Sequence, residues 1–204
     1  TDKEALADVL TERIIAKYPD IWQTEEELRV LLNEYINPSS PDYAPVFNWI
    51  LGYEGITFYF EHYEIAPYAF GVQEITLLFS EYQDIIQAGQ YAPIDNNYVI
   101  DLGDSYTFET DLDNDGAVDN LQISFTYNDE YDMVTELIVG VNGAESRHEV
   151  RGYECSYYLV KKNGTSYLYV IQLQESDFRL LSVFRLDTAG ATHVGDCNGT
   201  IESF

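Results

Sequence analysis

The sequence predicts an α+β amino-terminal domain, helices packed on a small antiparallel sheet, followed by an all-β carboxy-terminal domain of meander, sandwich or blade-like kind. Three observations predict this. Apolar residues recur at helical spacing through the first quarter of the chain, the period changes to two from Val46, and turn dipeptides then recur at near-regular intervals.

The first helix reads from Leu6, Val9, Leu10 and Ile14 on one face, with Thr1 or Asp2 as its cap and Pro19 just past its end. Thr24, with Glu27 three residues on, forms a capping box for a second helix, whose Leu28, Leu31, Leu32 and Tyr35 share a face until Asn37-Pro38 stops it. Pro38, Pro41 and Pro45 make the following stretch a non-helical connector. Ile56, Phe58 and Phe60 then alternate with Thr57, Tyr59 and Glu61, and Gln73 to Phe79 repeats the alternation with Ile75, Leu77 and Phe79 inward, so two strands are expected. Ser80 with Gln83 opens a short helix through Ile85 and Ile86, ended by Gly89.

A boundary is placed at Tyr91-Ala92-Pro93, giving domains over residues 1–92 and 95–204. Beyond it, Asp115-Gly116, Asn142-Gly143, Asn163-Gly164 and Asn198-Gly199 mark turns. Asn-Gly supplies positive φ at both central positions of a type I′ turn, so Glu136 to Val141 pairs with the strand after Gly143, and Ser156 to Lys161 pairs with Ser166 to Leu173.

Charge bounds the partners. The 204 residues hold 36 Asp and Glu against 10 Lys and Arg, a formal −26, and Val30 to Ser146 carries 21 acids with no Lys or Arg at all. Phosphate contact needs clustered cations, so nucleic acid is excluded as a partner. Solvation, divalent cations and a basic macromolecule remain as sinks for the negative charge. No apolar run is long enough for a transmembrane segment, and a chain beginning at Thr1 rather than Met reads as a trimmed or mature piece from which any export signal has gone.

Asp111-Leu112-Asp113-Asn114-Asp115-Gly116-Ala117-Val118-Asp119 is a D-x-D-x-D-G-x-x-D string between two strand-like runs. Oxygen ligands from Asp111, Asp113 and Asp115, a carbonyl from Ala117 and a carboxylate from Asp119 suit calcium, with Gly116 permitting the sharp turn. The twelfth position is Gln122, so the bidentate Glu of a sensor EF-hand is missing, and the string is similar to the calcium hairpins of extracellular β-repeat proteins. The other reading is an acidic hairpin of Asx turns without metal.

Catalytic signatures fail in identifiable ways. His148-Glu149 begins a zinc-protease pattern whose second His is replaced by Gly152. Gly195-Asp196-Cys197-Asn198-Gly199 imitates a nucleophile elbow with too little chain after it for the helix that such an elbow opens. His62, His148 and His193 are scattered, and pairs such as Glu61 and Glu64 are expected by chance among so many acids.

The segment Gly55 to Gly71, with Tyr63-Glu64-Ile65-Ala66-Pro67-Tyr68-Ala69-Phe70-Gly71 at its heart, followed by Glu74-Ile75 and Phe79-Ser80-Glu81, resembles the outer domain of the bacterial anti-sigma factor that senses lysozyme, a domain of unknown function also found in envelope lipoproteins. The resemblance covers about residues 1–88; His62 replaces the family's usual Pro, and Leu77-Leu78 its Ile-Pro. It implies an exported, cell-envelope, bacterial protein without catalytic residues, binding a basic protein such as lysozyme or a wall component. Tyr63, Glu64 and Tyr68 are the contact residues it suggests, although Glu64 and Pro67 also suit a purely structural turn. Spacing alone leaves Cys155 and Cys197 either paired or free; the export implied by the resemblance favours a disulfide. The alternatives are an accessory or catalytic module of a cell-wall glycan-modifying enzyme and a structural segment of a surface protein.

Overall fold

The computed structural model describes residues 3–21, 24–39, 48–86, 97–103, 107–128, 130–175 and 178–199. The cap at Thr1 or Asp2, the connector prolines Pro41 and Pro45, the stop at Gly89 and the boundary at Tyr91 to Pro93 lie outside the described residues. The chain divides into two compact units, Thr1–Ala92 and Pro93–Phe204.

In the first unit, α1 spans Lys3–Lys17 and α2 spans Glu25–Ile36. Thr24 takes an extended conformation and its hydroxyl accepts the Glu27 N–H at 3.3 Å, which satisfies one of the orphan donors of the first turn of α2. Strands β1 (Asn48–Leu51), β2 (Gly55–Phe60) and β3 (Gln73–Leu78) form an antiparallel sheet in that order, and α3 (Gln83–Ile86) follows. Leu10 and Ile14 of α1, Leu28 and Leu32 of α2, and Phe60, Ile75 and Leu77 of the sheet make one buried core. Each contributes roughly 1.5–3 kcal/mol through removal of apolar surface from water. Phe58 and Phe60 of β2 point inward as expected, whereas β3 departs from the expected alternation: Thr76 and Leu78 are buried as well as Ile75 and Leu77, so both of its faces are covered. Strand β1 carried no such signal, because three of its four residues, Trp49, Ile50 and Leu51, are exposed whichever face they occupy.

Among the described residues the second unit holds nine strands: β4 (Tyr98–Asp101), β5 (Thr107–Thr110), β6 (Asp119–Asn128), β7 (Met133–Val141), β8 (Ala144–Gly152), β9 (Glu154–Lys162), β10 (Thr165–Leu173), β11 (Arg179–Asp187) and β12 (Gly190–Gly199). They form two antiparallel sheets, ordered β12-β11-β10-β9-β4 and β5-β6-β7-β8. Leu121, Ile123, Leu137 and Val139 of the smaller sheet meet Leu159, Leu168, Val170 and Phe184 of the larger in one core, so the unit is a sandwich and not a propeller blade. Asn142 and Gly143 at φ 50° and 84°, and Asn163 and Gly164 at φ 51° and 75°, make the expected hairpins, with the pairings in the expected places. Asn198-Gly199 is not a turn: both residues end β12, opposite Leu180 and Arg179. The chain passes from one sheet to the other after Gly152, where a Cβ would meet Gln172 Cβ at 3.1 Å and two carbonyl oxygens at 3.2 Å.

Cys155 and Cys197 are free thiols, which corrects the expected disulfide. Cys155 of β9 pairs with Gln172 of β10, Gln172 with Leu180 of β11, and Leu180 with Asn198 of β12, beside Cys197. Three strand spacings of about 4.8 Å separate the two thiols across the sheet, well beyond the reach of an S–S bond. Among the described residues no helix is long and apolar enough to cross a membrane.

Candidate functional site

The connection between β2 and β3 is built by local hydrogen bonds. Tyr63 N–H donates to the Ala66 carbonyl at 3.0 Å, Glu64 N–H to the Glu61 carbonyl at 3.1 Å, and a single 3-10 turn over Tyr68–Phe70 closes with Gly71 N–H on the Tyr68 carbonyl at 3.1 Å. Ile65 and Ala66 are buried and anchor the turn to the core. Glu64 is engaged internally: its carboxylate accepts the Glu61 N–H at 2.6 Å and the Tyr35 hydroxyl. Burial, reinforced by that carboxylate, pushes the Tyr35 phenol up to about 12. Of the three expected contact residues, Glu64 therefore builds the turn.

Tyr63 and Tyr68 face outward, at 75% and 63% exposure. Their ring centroids lie 5.9 Å apart, and His62 stacks on Tyr68 at 4.6 Å. Tyr63 holds φ at 69°, a left-handed conformation that costs a bulky L-residue on the order of 1 kcal/mol. A hollow of about 380 Å³ beside it is lined by Ile21, Glu64, Ile65 and Pro67. The result is a rigid aromatic projection on a turn that its own buried residues hold in shape.

The acidic string connects β5 to β6, whose Thr110 and Asp119 are paired. Asp111 Oδ2 accepts Gly116 N–H at 3.1 Å, Asp113 Oδ1 accepts Asp115 N–H at 3.1 Å, and Asp115 Oδ1 accepts Ala117 N–H at 2.8 Å, with Asn114 and Gly116 at φ 64° and 90°. Asp111, Asp113 and Asp115 each place a carboxylate oxygen within 4.8 Å of the others. Asp119 stands outside this group, its Oδ2 accepting Leu112 N–H at 2.8 Å and its Oδ1 the Asn142 amide at 2.6 Å. Ala117 is exposed. Leu112 plugs the core while Ser166 donates to its carbonyl at 2.7 Å, so the loop also ties the two sheets together. Three carboxylates with convergent oxygens, two of them exposed, could hold a hard divalent cation that keeps water in its remaining positions.

Sequence reading missed one feature. His148 and His193, far apart in the chain, meet across Phe184 at centroid distances of 4.7 and 5.3 Å, in an open cleft of about 510 Å³ between β8 and β10 to β12. Nothing local could have signalled this, because the cleft is made by strands from both sheets. Its charges are already paired: Arg151 with Glu149 at 2.8 Å, Arg147 with Glu136 at 3.0 Å, and His193 with Asp196 at 2.9 Å.

Comparison with curated proteins and with solved structures finds no match. Residues 1–80, the stretch that contains both long helices, the three-stranded sheet and the aromatic turn, match the family described as Protein of unknown function (DUF3298).

Proposed function

We propose that the chain is a non-catalytic binding or sensing module of the bacterial cell envelope, exported, whose first unit takes a basic protein such as lysozyme. The observation that carries this reading is Tyr63, an aromatic ring kept in an unfavourable backbone conformation and left exposed against Tyr68. Strain of this kind persists where the surroundings enforce it and is concentrated at binding sites. Tyr is also among the side chains enriched at interface hot spots. The long acidic segment supplies the attraction, raising association rates for a cationic partner in a way that salt suppresses. Titration with lysozyme at about 50 and 300 mM salt tests this, since the screening length falls by a factor of about 2.5 between them. Tight binding at low salt that weakens at high salt and is lost in Tyr63→Ala supports the reading; absence of binding at low salt removes it.

The β-sandwich is proposed to take calcium at Asp111, Asp113 and Asp115, on the strength of their convergent oxygens. Calorimetry in calcium and in chelator tests it: identical unfolding would leave the loop as an acidic hairpin.

A further inference from the structure

Strand β1 is the edge of the three-stranded sheet, paired on one side with β2 through Asn48↔Tyr59, Trp49↔Phe58, Ile50↔Thr57 and Leu51↔Ile56. Among the described residues no strand lies on its other side. Natural edge strands are blunted by Lys, Pro or a bulge, because an open ladder with apolar side chains recruits another strand. β1 is short, at four residues, but it carries no Lys, Pro or bulge. Trp49, Ile50 and Leu51 are 56%, 60% and 43% exposed, and side chains on both faces of the strand are therefore presented to solvent. Trp49 lies on the face of Phe58, at the rim of the core, while Ile50 lies on the opposite face with Thr57 and Thr76, the two threonine hydroxyls being 3.0 Å apart.

Charge selects the occupant. Residues 30–92 carry eight acids and no Lys or Arg. Pairing the edges of two copies would bring together two chains of formal charge −26, so a second copy is disfavoured. A cationic segment has neither obstacle, and its backbone gains a ladder of main-chain hydrogen bonds while alternate side chains pack on Trp49 and Leu51. We propose that β1 is a strand-addition site that receives an extended segment of alternating cationic and apolar residues from a basic partner protein. This rests on the reading of the first unit as a module for basic proteins, and adds the way in which part of the partner is held.

The probe is a short peptide of alternating Lys and Val, with a Glu and Val peptide as control, titrated into the full chain by calorimetry and followed by amide hydrogen exchange. Binding of the Lys peptide with slowed exchange at Trp49 to Leu51, and at least tenfold weaker binding in Ile50→Lys, is the expected result. Ile50 is exposed, so that substitution leaves the core alone, and the exchange measurement on the unaltered protein stands without it. Tyr63→Ala should leave peptide binding unchanged, which separates this site from the aromatic turn: loss of lysozyme binding in Tyr63→Ala with peptide binding intact keeps both. Equal binding of the Glu peptide, unchanged exchange in β1, or a dimer in sedimentation that Ile50→Lys dissociates would overturn the proposal.

Discussion

Lys161, on the inward face of β9, donates its ammonium to the backbone carbonyl of Asp111 and, at 3.1 Å, to Asn114 Oδ1. It is only 3% exposed, so a buried cation of the chain itself supports the acidic loop from beneath.

Lys161→Met keeps the volume and removes the charge and its hydrogen bonds. Stability in chelator should fall by about 2 kcal/mol, the scale for charged hydrogen bonds lost from a buried site. The variant should also depend more on calcium than the parent, since repulsion between ammonium and metal is gone. Urea unfolding with and without calcium gives both quantities.

For the parent protein, saturating calcium at about a hundredfold its dissociation constant should add about 2.7 kcal/mol to unfolding. Asp113→Asn and Asp115→Asn should abolish that increment. Asp119→Asn should instead destabilise the protein with and without metal, because both oxygens of Asp119 bond to the hairpin.

Tyr63→Gly separates strain from binding. Glycine accepts φ 69° freely, so stability should hold or rise by up to about 1 kcal/mol while lysozyme binding falls. A thermal melt beside a binding titration is sufficient, and a parallel loss of both would mark Tyr63 as purely structural.

Burial, with the neighbouring His193 charge, lowers the His148 pKa below its usual 6.5, while a hydrogen bond to the Ala191 backbone opposes the shift. The unfolded chain then takes up this proton at higher pH than the folded one. Stability should therefore be flat above about pH 6.5 in this respect and decline as pH falls through the lowered value. His148→Gln should flatten that decline. Asp196, whose pKa is lowered by hydrogen bonds from Ser182 and His193, contributes in a separate window, its stabilisation being lost as pH falls below 3.8. Denaturant midpoints across the acid range distinguish the two.

Thiol titration should find two free thiols on unfolding and one fast-reacting thiol in the native protein. Cys197 is exposed, whereas burial pushes the Cys155 thiol up to about 11, which leaves little thiolate near neutral pH.

What the sequence determined by itself is local. The Thr24 cap of α2, the inward Phe58 and Phe60 of β2, the Asn-Gly hairpins and the convergence of Asp111, Asp113 and Asp115 all depend on residues within a few positions of one another. The tertiary structure alone decided which strands became neighbours. Strand order put three spacings between Cys155 and Cys197, brought His148 to His193, engaged Asp119 with Asn142 and placed Lys161 beneath a loop 47 to 50 residues away in the chain. Alternation tells a strand which face to bury and is silent about its neighbours, because register and order follow from how the whole set of apolar faces closes into one core. Strand β1 lacked even the alternation, having no buried face to encode, and only the sheet showed it to be the edge among the described residues.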